Sequence, residues 1–304
     1  MTDTFHGVTT IHVAVCTNRA PRDVAACLES LAFQAGGLGA MLVCSGLTET
    51  ETEAHARAAR RAVPGILVMR EPRPGLSHAR NRALAACEDD NVIVYVDDDV
   101  LIGPGWLPRL AAAWGAAGER VACIGGPVRP RFPGTRPNWL DDTMLSTLSM
   151  VDYGPEQQDL DPFVRTVYGA NVSFRCGPLR RVGGFDPAFG HSGGRIWFSE
   201  EDEAQRALAR AGWTIRYIPD AWVWHVVSPD RLSRAAFLRR RFRYGTTLGA
   251  RRARSPALAA RQGASSAVGA PVAAARGDER LFMERALRAV ENAGVLAGPL
   301  LARR

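Results

Sequence analysis

The chain has 304 residues, a formal net charge of +7 and 46% hydrophobic residues, enough for one large domain with a sizeable core or for a domain with an appendage. No apolar window reaches the roughly 18 residues that a membrane-spanning helix needs, and the first residues lack the basic-then-apolar order of a signal peptide, so a cytoplasmic protein is expected. All 38 basic residues are Arg, and from Ser228 to Arg304 there are 16 Arg against five Asp and Glu, a net +11 that leaves −4 for the remainder.

The six Cys, at 16, 27, 44, 87, 123 and 176, form no Cys-x-x-Cys pair. They indicate neither a zinc site nor a redox motif, and read as small core residues. Ile11 to Val15 is an apolar strand running into the polar loop Cys16-Thr17-Asn18-Arg19. Pro21 then opens a helix to about Gln34, with Val24, Cys27, Leu28 and Leu31 at helical spacing. Met41 to Cys44 is a second strand, and Thr48 to Val63 a helix whose acidic-then-basic order suits the helix dipole. Ile66 to Met69 is a third strand, followed by a helix from Leu76 to Cys87. Arg80 and Asn81 on that helix offer donors, Arg being suited to forked contacts with phosphate; plain helix surface is the alternative.

The fourth strand starts at Val92, and Val92-Ile93-Val94-Tyr95-Val96 reads as buried on both faces. Asp97, Asp98 and Asp99 end it. In an open parallel sheet, ligands sit beyond the carboxyl ends of the strands. Three carboxylates crowded there call for a positive partner, and a divalent metal with oxygen ligands supplies one; a solvated charged turn is the bland alternative. Alternation of strand and helix with short links predicts a parallel, helix-covered sheet. Gly-x-Gly-x-x-Gly is missing after the first strand, and no Walker-type Gly-Lys-Ser is present.

Beyond Asp99 the pattern predicts a helix over Pro104 to Gly118, a strand over Val121 to Ile124, and a Pro- and Arg-rich loop over Gly126 to Pro137. Asn138 to Pro162 shows no clear period. In Tyr168-Gly169-Ala170-Asn171, small residues beside Asn171 and Tyr168 allow a ligand close to the backbone, or make a tight turn. Gly190 to Phe198 reads as a moving loop, and Ser199 as the cap of a helix beginning Glu200-Glu201-Asp202-Glu203. Asp202 stands four residues before Arg206 and could simply pair with it. Strands over Thr214 to Ile218 and Ala221 to Trp224 stop at His225, which could join the acidic cluster as a metal ligand or be a satisfied buried imidazole. From Ser228 the chain is basic with interleaved Phe237, Leu238, Phe242 and Tyr244, then rich in Ala and Gly. This predicts a helical extension with a loose linker around Ser255 to Gly277, packing on the domain or lying on a membrane surface.

Five ordered motifs in Ile11 to His225 together resemble the family 2 glycosyltransferases. They are Val-Ala-Val-Cys-Thr at 13 to 17, Pro-Gly-Leu-Ser-His-Ala-Arg-Asn at 74 to 81, Val-Asp-Asp-Asp-Val at 96 to 100, Gly-Ala-Asn-Val-Ser-Phe-Arg at 169 to 175 with Gly-Gly-Phe-Asp at 183 to 186, and the acidic helix followed by Ala-Gly-Trp, Pro-Asp-Ala and His225. The resemblance implies an α/β protein of GT-A fold, a Rossmann-like, mostly parallel central sheet with helices on both faces over 1–227. The basic, mainly helical extension would then occupy 228–304.

The activity implied is transfer of a hexosyl-type group, with inversion, from a nucleoside diphosphate sugar (UDP, GDP or dTDP) to an acceptor hydroxyl or amine. Thr17, Asn18 and Arg19 then contact the nucleotide, Arg80 the base or diphosphate, and Asp97, Asp98 and Asn171 the donor. Asp97, Asp99 and His225 would hold Mg²⁺ or Mn²⁺, and the acidic helix would supply the base, Glu201 or, after a shift of one position, Asp202. Where the family often has Asp at the end of the second strand, this chain reads Val43-Cys44-Ser45-Gly46.

A sugar nucleotidyltransferase would use the Asp cluster without the acidic helix. An anion-binding protein would use the Arg-rich tail on nucleic acid or lipid. No base-reading motif accompanies that charge, so no nucleic-acid partner is expected, while peripheral contact with the inner membrane face is open to it.

Overall fold

The computed structural model describes residues 10–34, 39–188, 191–192, 195–196, 200–251 and 255–301. Two compact units divide the chain, one drawn from 1–129, 150–195 and 199–226, the other from 130–149, 196–198 and 227–304.

In the first unit β1 (Ile11–Thr17), α1 (Pro21–Ala32), β2 (Gly39–Ser45), α2 (Glu49–Ala62), β3 (Leu67–Glu71), α3 (Leu76–Leu84) and β4 (Val92–Asp97) alternate as the hydrophobic periods predict. Pro21 sits at the first turn of α1, where its missing N–H costs nothing. Thr48 caps α2 reciprocally, its hydroxyl accepting from the Glu51 N–H at 3.3 Å while the Glu51 carboxylate accepts from the Thr48 N–H at 2.8 Å. Next come β5 (Val100–Ile102), α4 (Trp106–Gly115), β6 (Val121–Gly125) and β7 (Val128–Arg131), the last inside the stretch expected to be loop. Then follow β8 (Gln158–Leu160), β9 (Asn171–Arg175), α5 (Cys176–Arg181), the two-residue strands β10 (His191–Ser192) and β11 (Arg195–Ile196), α6 (Glu200–Arg210), β12 (Thr214–Tyr217) and β13 (Val223–Val226). The moving loop expected over Gly190 to Phe198 and the Ser199 cap lie outside the described residues, apart from β10 and β11.

The main sheet runs β3-β2-β1-β4-β9-β6-β12-β8. β1 to β4 are mutually parallel, β9 enters antiparallel between β4 and β6, β12 is parallel to β6, and β8 is antiparallel at the edge. The apolar faces of α1, α2 and α4 cover one side of the sheet, and those of α3, α5 and α6 the other. All six Cys are buried without a disulfide, as expected of core residues. β12 and β13 part company after Pro219-Asp220, because β13 pairs antiparallel with β5 in a second, small sheet ordered β5-β13-β7.

The second unit holds a 3₁₀ turn at Asp142–Leu148, α7 (Arg234–Ala250), α8 (Pro256–Ala275) and α9 (Glu279–Leu301). The expected linker around Ser255 to Gly277 is therefore mostly helix. Ala is the best helix former, and Ser255 caps α8 by accepting from the Leu258 N–H at 3.4 Å. α9 packs against both α7 and α8. Gly245 and Gly249 of α7 meet Gly294 and Gly298 of α9 so closely that a Cβ on any of the four would lie 2.0–2.3 Å from a carbonyl oxygen of the facing helix. Only four absent side chains allow two backbones to cross at that distance.

Candidate active site

β1 and β4 are neighbours in register, Cys16 opposite Asp97, so the Thr17 loop and the three carboxylates emerge side by side. The Thr17 hydroxyl donates to Asp98 Oδ2 at 2.5 Å, and the Arg19 N–H donates to the Thr17 Oγ1 at 3.1 Å. Arg19 reaches across with Nη2 3.2 Å from Asp99 Oδ2 and Nε 3.6 Å from Asp98 Oδ1. Asn18 is exposed beside them. Burial pushes the Asp98 carboxyl up to about 6, against the opposing pull of Thr17 and Arg19.

β5 leaves the cluster at once and pairs with β13, setting His225 opposite Val100. The Val226 N–H donates to the Asp99 carbonyl at 3.1 Å. His225 Nε2 consequently stands 2.9 Å from Asp99 Oδ1, with only 3% of its side chain exposed. Two residues 126 apart in sequence meet because a three-residue strand turns back on the far end of the domain. Among the described residues no three His, Cys, Asp or Glu side chains converge as a ready-made metal cage. Asp99 and His225 meet, while Asp97 also has a partner in another direction.

That other direction is Arg80. Although it lies on the third helix with a sequence compatible with surface, it is 2% exposed. Its Nη1 lies 2.7 Å from Glu200 Oε1 and 3.8 Å from Glu201 Oε2, and its Nη2 3.5 Å from Asp97 Oδ1. Tyr95 and Phe185 flank the guanidinium at 5.7 and 5.5 Å from their ring centres, and the Tyr95 hydroxyl donates to the Arg80 carbonyl at 2.8 Å. Gly169 must be glycine here, since a Cβ would come within 2.3 Å of Arg80 Nη2.

The family described as Glycosyl transferase family 2 matches residues 12–183. The succinoglycan biosynthesis protein ExoM of Rhizobium meliloti is 32% identical over 95% of this chain and 93% of its own length. The chain is a family 2 glycosyltransferase.

The glucosyl-dolichyl phosphate glucuronosyltransferase of Haloferax volcanii is 24% identical, over 53% of this chain and 50% of its own. Residues 1–349 of S. aureus TarS, solved in complex with UDP, superpose with a TM-score of 0.53 at 16% identity over 97% of this chain and 91% of that one. The last likeness bears on fold alone, and it agrees with the sheet order in giving this glycosyltransferase the GT-A fold.

The acidic start of α6 divides its carboxylates among different partners. Glu200 is buried and takes the short contact with Arg80. Glu201 accepts from the Gly169 N–H at 3.1 Å, and burial, then the Glu200 charge, push its carboxyl up to about 8. Asp202 accepts from the Thr166 hydroxyl at 2.6 Å. The pairing expected between Asp202 and Arg206 does not form, because Arg206 turns to Glu203 at 2.7 Å and donates to the Pro162 carbonyl at 3.1 Å.

Asn171 is not delivered to this cluster as expected. Its amide oxygen accepts from the Trp106 indole at 3.0 Å, and its nitrogen donates to the Pro127 and Ala221 carbonyls at 3.1 and 2.8 Å. Those contacts tie β9 to α4 and to the approaches of β7 and β13, an architectural job.

Thr166 and Gln205 went unnoticed in the sequence. Gln205, 0% exposed, accepts from the Val167 N–H at 3.0 Å and donates to the Val167 carbonyl at 2.8 Å. It pins the 162–169 segment against the first turns of α6. A polar residue flanked by Ala204 and Leu208 on the apolar side of an amphipathic helix was the available signal. At the end of β2, where a base-holding Asp was absent, Ser45 donates to the Arg73 carbonyl at 3.0 Å, and Glu71 of β3 holds the Arg73 guanidinium at 2.7 and 3.0 Å.

Proposed function

We propose that this glycosyltransferase takes its sugar from a nucleoside diphosphate sugar, uses Mg²⁺ or Mn²⁺, and inverts the anomeric carbon with Glu201 as the general base. The observation that carries the reading is the Arg80 bridge. One buried guanidinium lies against Asp97 of the cluster ending β4 and against Glu200 and Glu201 of α6, so a pole suited to a leaving diphosphate adjoins a pole suited to the acceptor.

Asp97, Asp99 and His225 would hold the cation. The fit rests on the donor set: carboxylate oxygens with one imidazole, Asp97 being 32% exposed, suit Mg²⁺ or Mn²⁺. Donor phosphates would complete the coordination of the ion, the usual habit of Mg²⁺. Such an ion supplies charge stabilisation for the departing diphosphate. Arg19, with Thr17 and Asn18 beside it, lies where an anionic phosphate would gain a forked donor. TarS has been solved with UDP-GlcNAc bound, which supports a nucleotide-sugar donor of this kind.

Glu201 is the better of the two candidate bases. A proton acceptor works best with a pKa near the operating pH, and its carboxyl is raised toward that range, whereas Asp202 is held by Thr166. With Glu201 taking the acceptor's proton, the acceptor oxygen or nitrogen would displace the diphosphate directly, hence inversion.

The experiment is Asp99→Ala, assayed with UDP-, GDP- and dTDP-sugars in Mn²⁺ buffer alongside chelated wild type. Transfer should fall by several kcal/mol of barrier with circular dichroism unchanged, and metal should restore only the wild type. Normal turnover by the variant would remove the metal assignment. Release of pyrophosphate in place of nucleoside diphosphate would favour the nucleotidyltransferase reading.

A further inference from the structure

The C-terminal unit carries a cleft of about 180 Å³ with four guanidinium-bearing residues, Arg231, Arg239, Arg240 and Arg243, at its walls, and Leu148 and Phe237 among the rest of its lining. Among the described residues that line it none is a carboxylate. Arg239 and Arg243 are exposed and stand four residues apart on α7, the spacing at which like charges repel. Four of the unit's acidic residues pair with arginines outside the cleft: Asp141 with Arg280, Glu279 with Arg234 at 2.8 Å, Glu284 with Arg288 at 2.6 Å, and Glu291 with Arg241 at 2.5 Å. Arg240 is steadied by donating to the Ser149 hydroxyl at 2.8 Å. An anion is the ligand that offsets this repulsion, and guanidinium forks match phosphate oxygens.

We propose that this cleft takes the phosphate headgroups of an anionic lipid surface and holds the enzyme at a membrane as a peripheral protein. Two further observations favour lipid over nucleic acid. α8 has a single charged residue, Arg261, in its twenty positions and exposes Leu258, Val268 and Val272, while α9 exposes Leu296, Leu300 and Leu301. Aliphatic groups of this kind enter the headgroup boundary of a bilayer. Single-stranded nucleic acid, by contrast, is held on exposed aromatic faces, and the exposed large apolar residues described in this unit are all Leu or Val. No helix among the described residues is long and apolar enough to cross a membrane, so the contact is with the surface.

The test is co-sedimentation of the full chain with phosphatidylcholine vesicles and with phosphatidylcholine–phosphatidylglycerol vesicles, for wild type and for Arg239→Ala/Arg243→Ala. The wild type should bind only the anionic vesicles and release as salt rises. The double variant should partition about thirty-fold more weakly, since each basic residue at such a surface contributes about 1 kcal/mol. Arg239→Lys/Arg243→Lys, which keeps the charge, should retain most of the binding. Equal binding by wild type and alanine variant, or equal binding to both vesicle types, would overturn the proposal. So would thermal stabilisation by inorganic phosphate without vesicle binding, or preferential binding of an oligonucleotide lost in the alanine variant. The readout needs no sugar donor and is independent of the assignment of the catalytic residues.

Discussion

Arg80 and Glu200 meet at 2.7 Å with 2% and 4% of their side chains exposed, and around that pair the rest of the site is hung. Glu201 and Asp97 share the same guanidinium at longer range, so one cation faces three carboxylates in surroundings with little water.

Removing that cation strands buried negative charge. Arg80→Met should destabilise the protein by about 3–5 kcal/mol, the usual cost of breaking a buried pair from one side, read as a lower urea midpoint. Arg80→Met/Glu200→Gln should recover a good part of the loss, because the stranded charge is gone. A single variant unfolding at the wild-type urea concentration would mean the pair carries no net stability.

For Glu201 the expectation is kinetic. Its carboxyl lies raised to about 8 by burial and by Glu200, with Arg80 pulling the other way and Asp202 adding to the rise. Below that pH the group keeps its proton and cannot accept another. The kcat/KM profile should therefore climb with rising pH, pass its midpoint near 8 and level off above it, a limb belonging to the free enzyme. Glu201→Gln should lower kcat by about 10²–10⁴-fold and erase the limb. A profile that keeps its shape in the Gln variant would move the base elsewhere.

Asn171 separates architecture from donor contact. Asn171→Ala leaves the Trp106 N–H and the Ala221 carbonyl without their partner, while the Pro127 carbonyl keeps the Val223 N–H at 3.0 Å; each such orphaned buried group costs about 1–3 kcal/mol. The variant should melt well below the wild type, yet at a temperature where it is folded its donor KM should be unchanged. A large rise in KM with little loss of stability would restore the donor-binding role.

In the helical unit, a Cβ at Gly249 would stand 2.0 Å from the Val295 carbonyl oxygen. Gly249→Val should force α7 and α9 apart and cost at least the 1–3 kcal/mol or so of ordinary overpacking, seen by calorimetry. Gly118→Ala, where nothing lies within 4 Å of the added carbon, is the matched control and should be neutral.

Local period and composition were enough to draw β1 to β4 and the helices between them, since each element's own residues carry its pattern of burial. The rule that a parallel sheet delivers every strand's carboxyl end to the same side put the three aspartates at a crevice, and Thr17 and Arg19 joined them there only through the family resemblance. Five motifs in order carried the chain to its family. What they could not supply is the set of partners made across long separations. β9 follows the small residues Gly169 and Ala170, which read as a ligand approach or a tight turn, and its place antiparallel between β4 and β6 appears only in the assembled sheet. β13 follows β12 after a short link yet pairs with β5, which brings His225 to Asp99. Arg80 looks like surface on its own helix and becomes the buried counter-ion of α6 only when α3 and α6 pack on one face. In each case the deciding energy lies between groups tens of residues or more apart, where desolvation and charge pairing are set by the assembled core and leave no periodic mark along the chain.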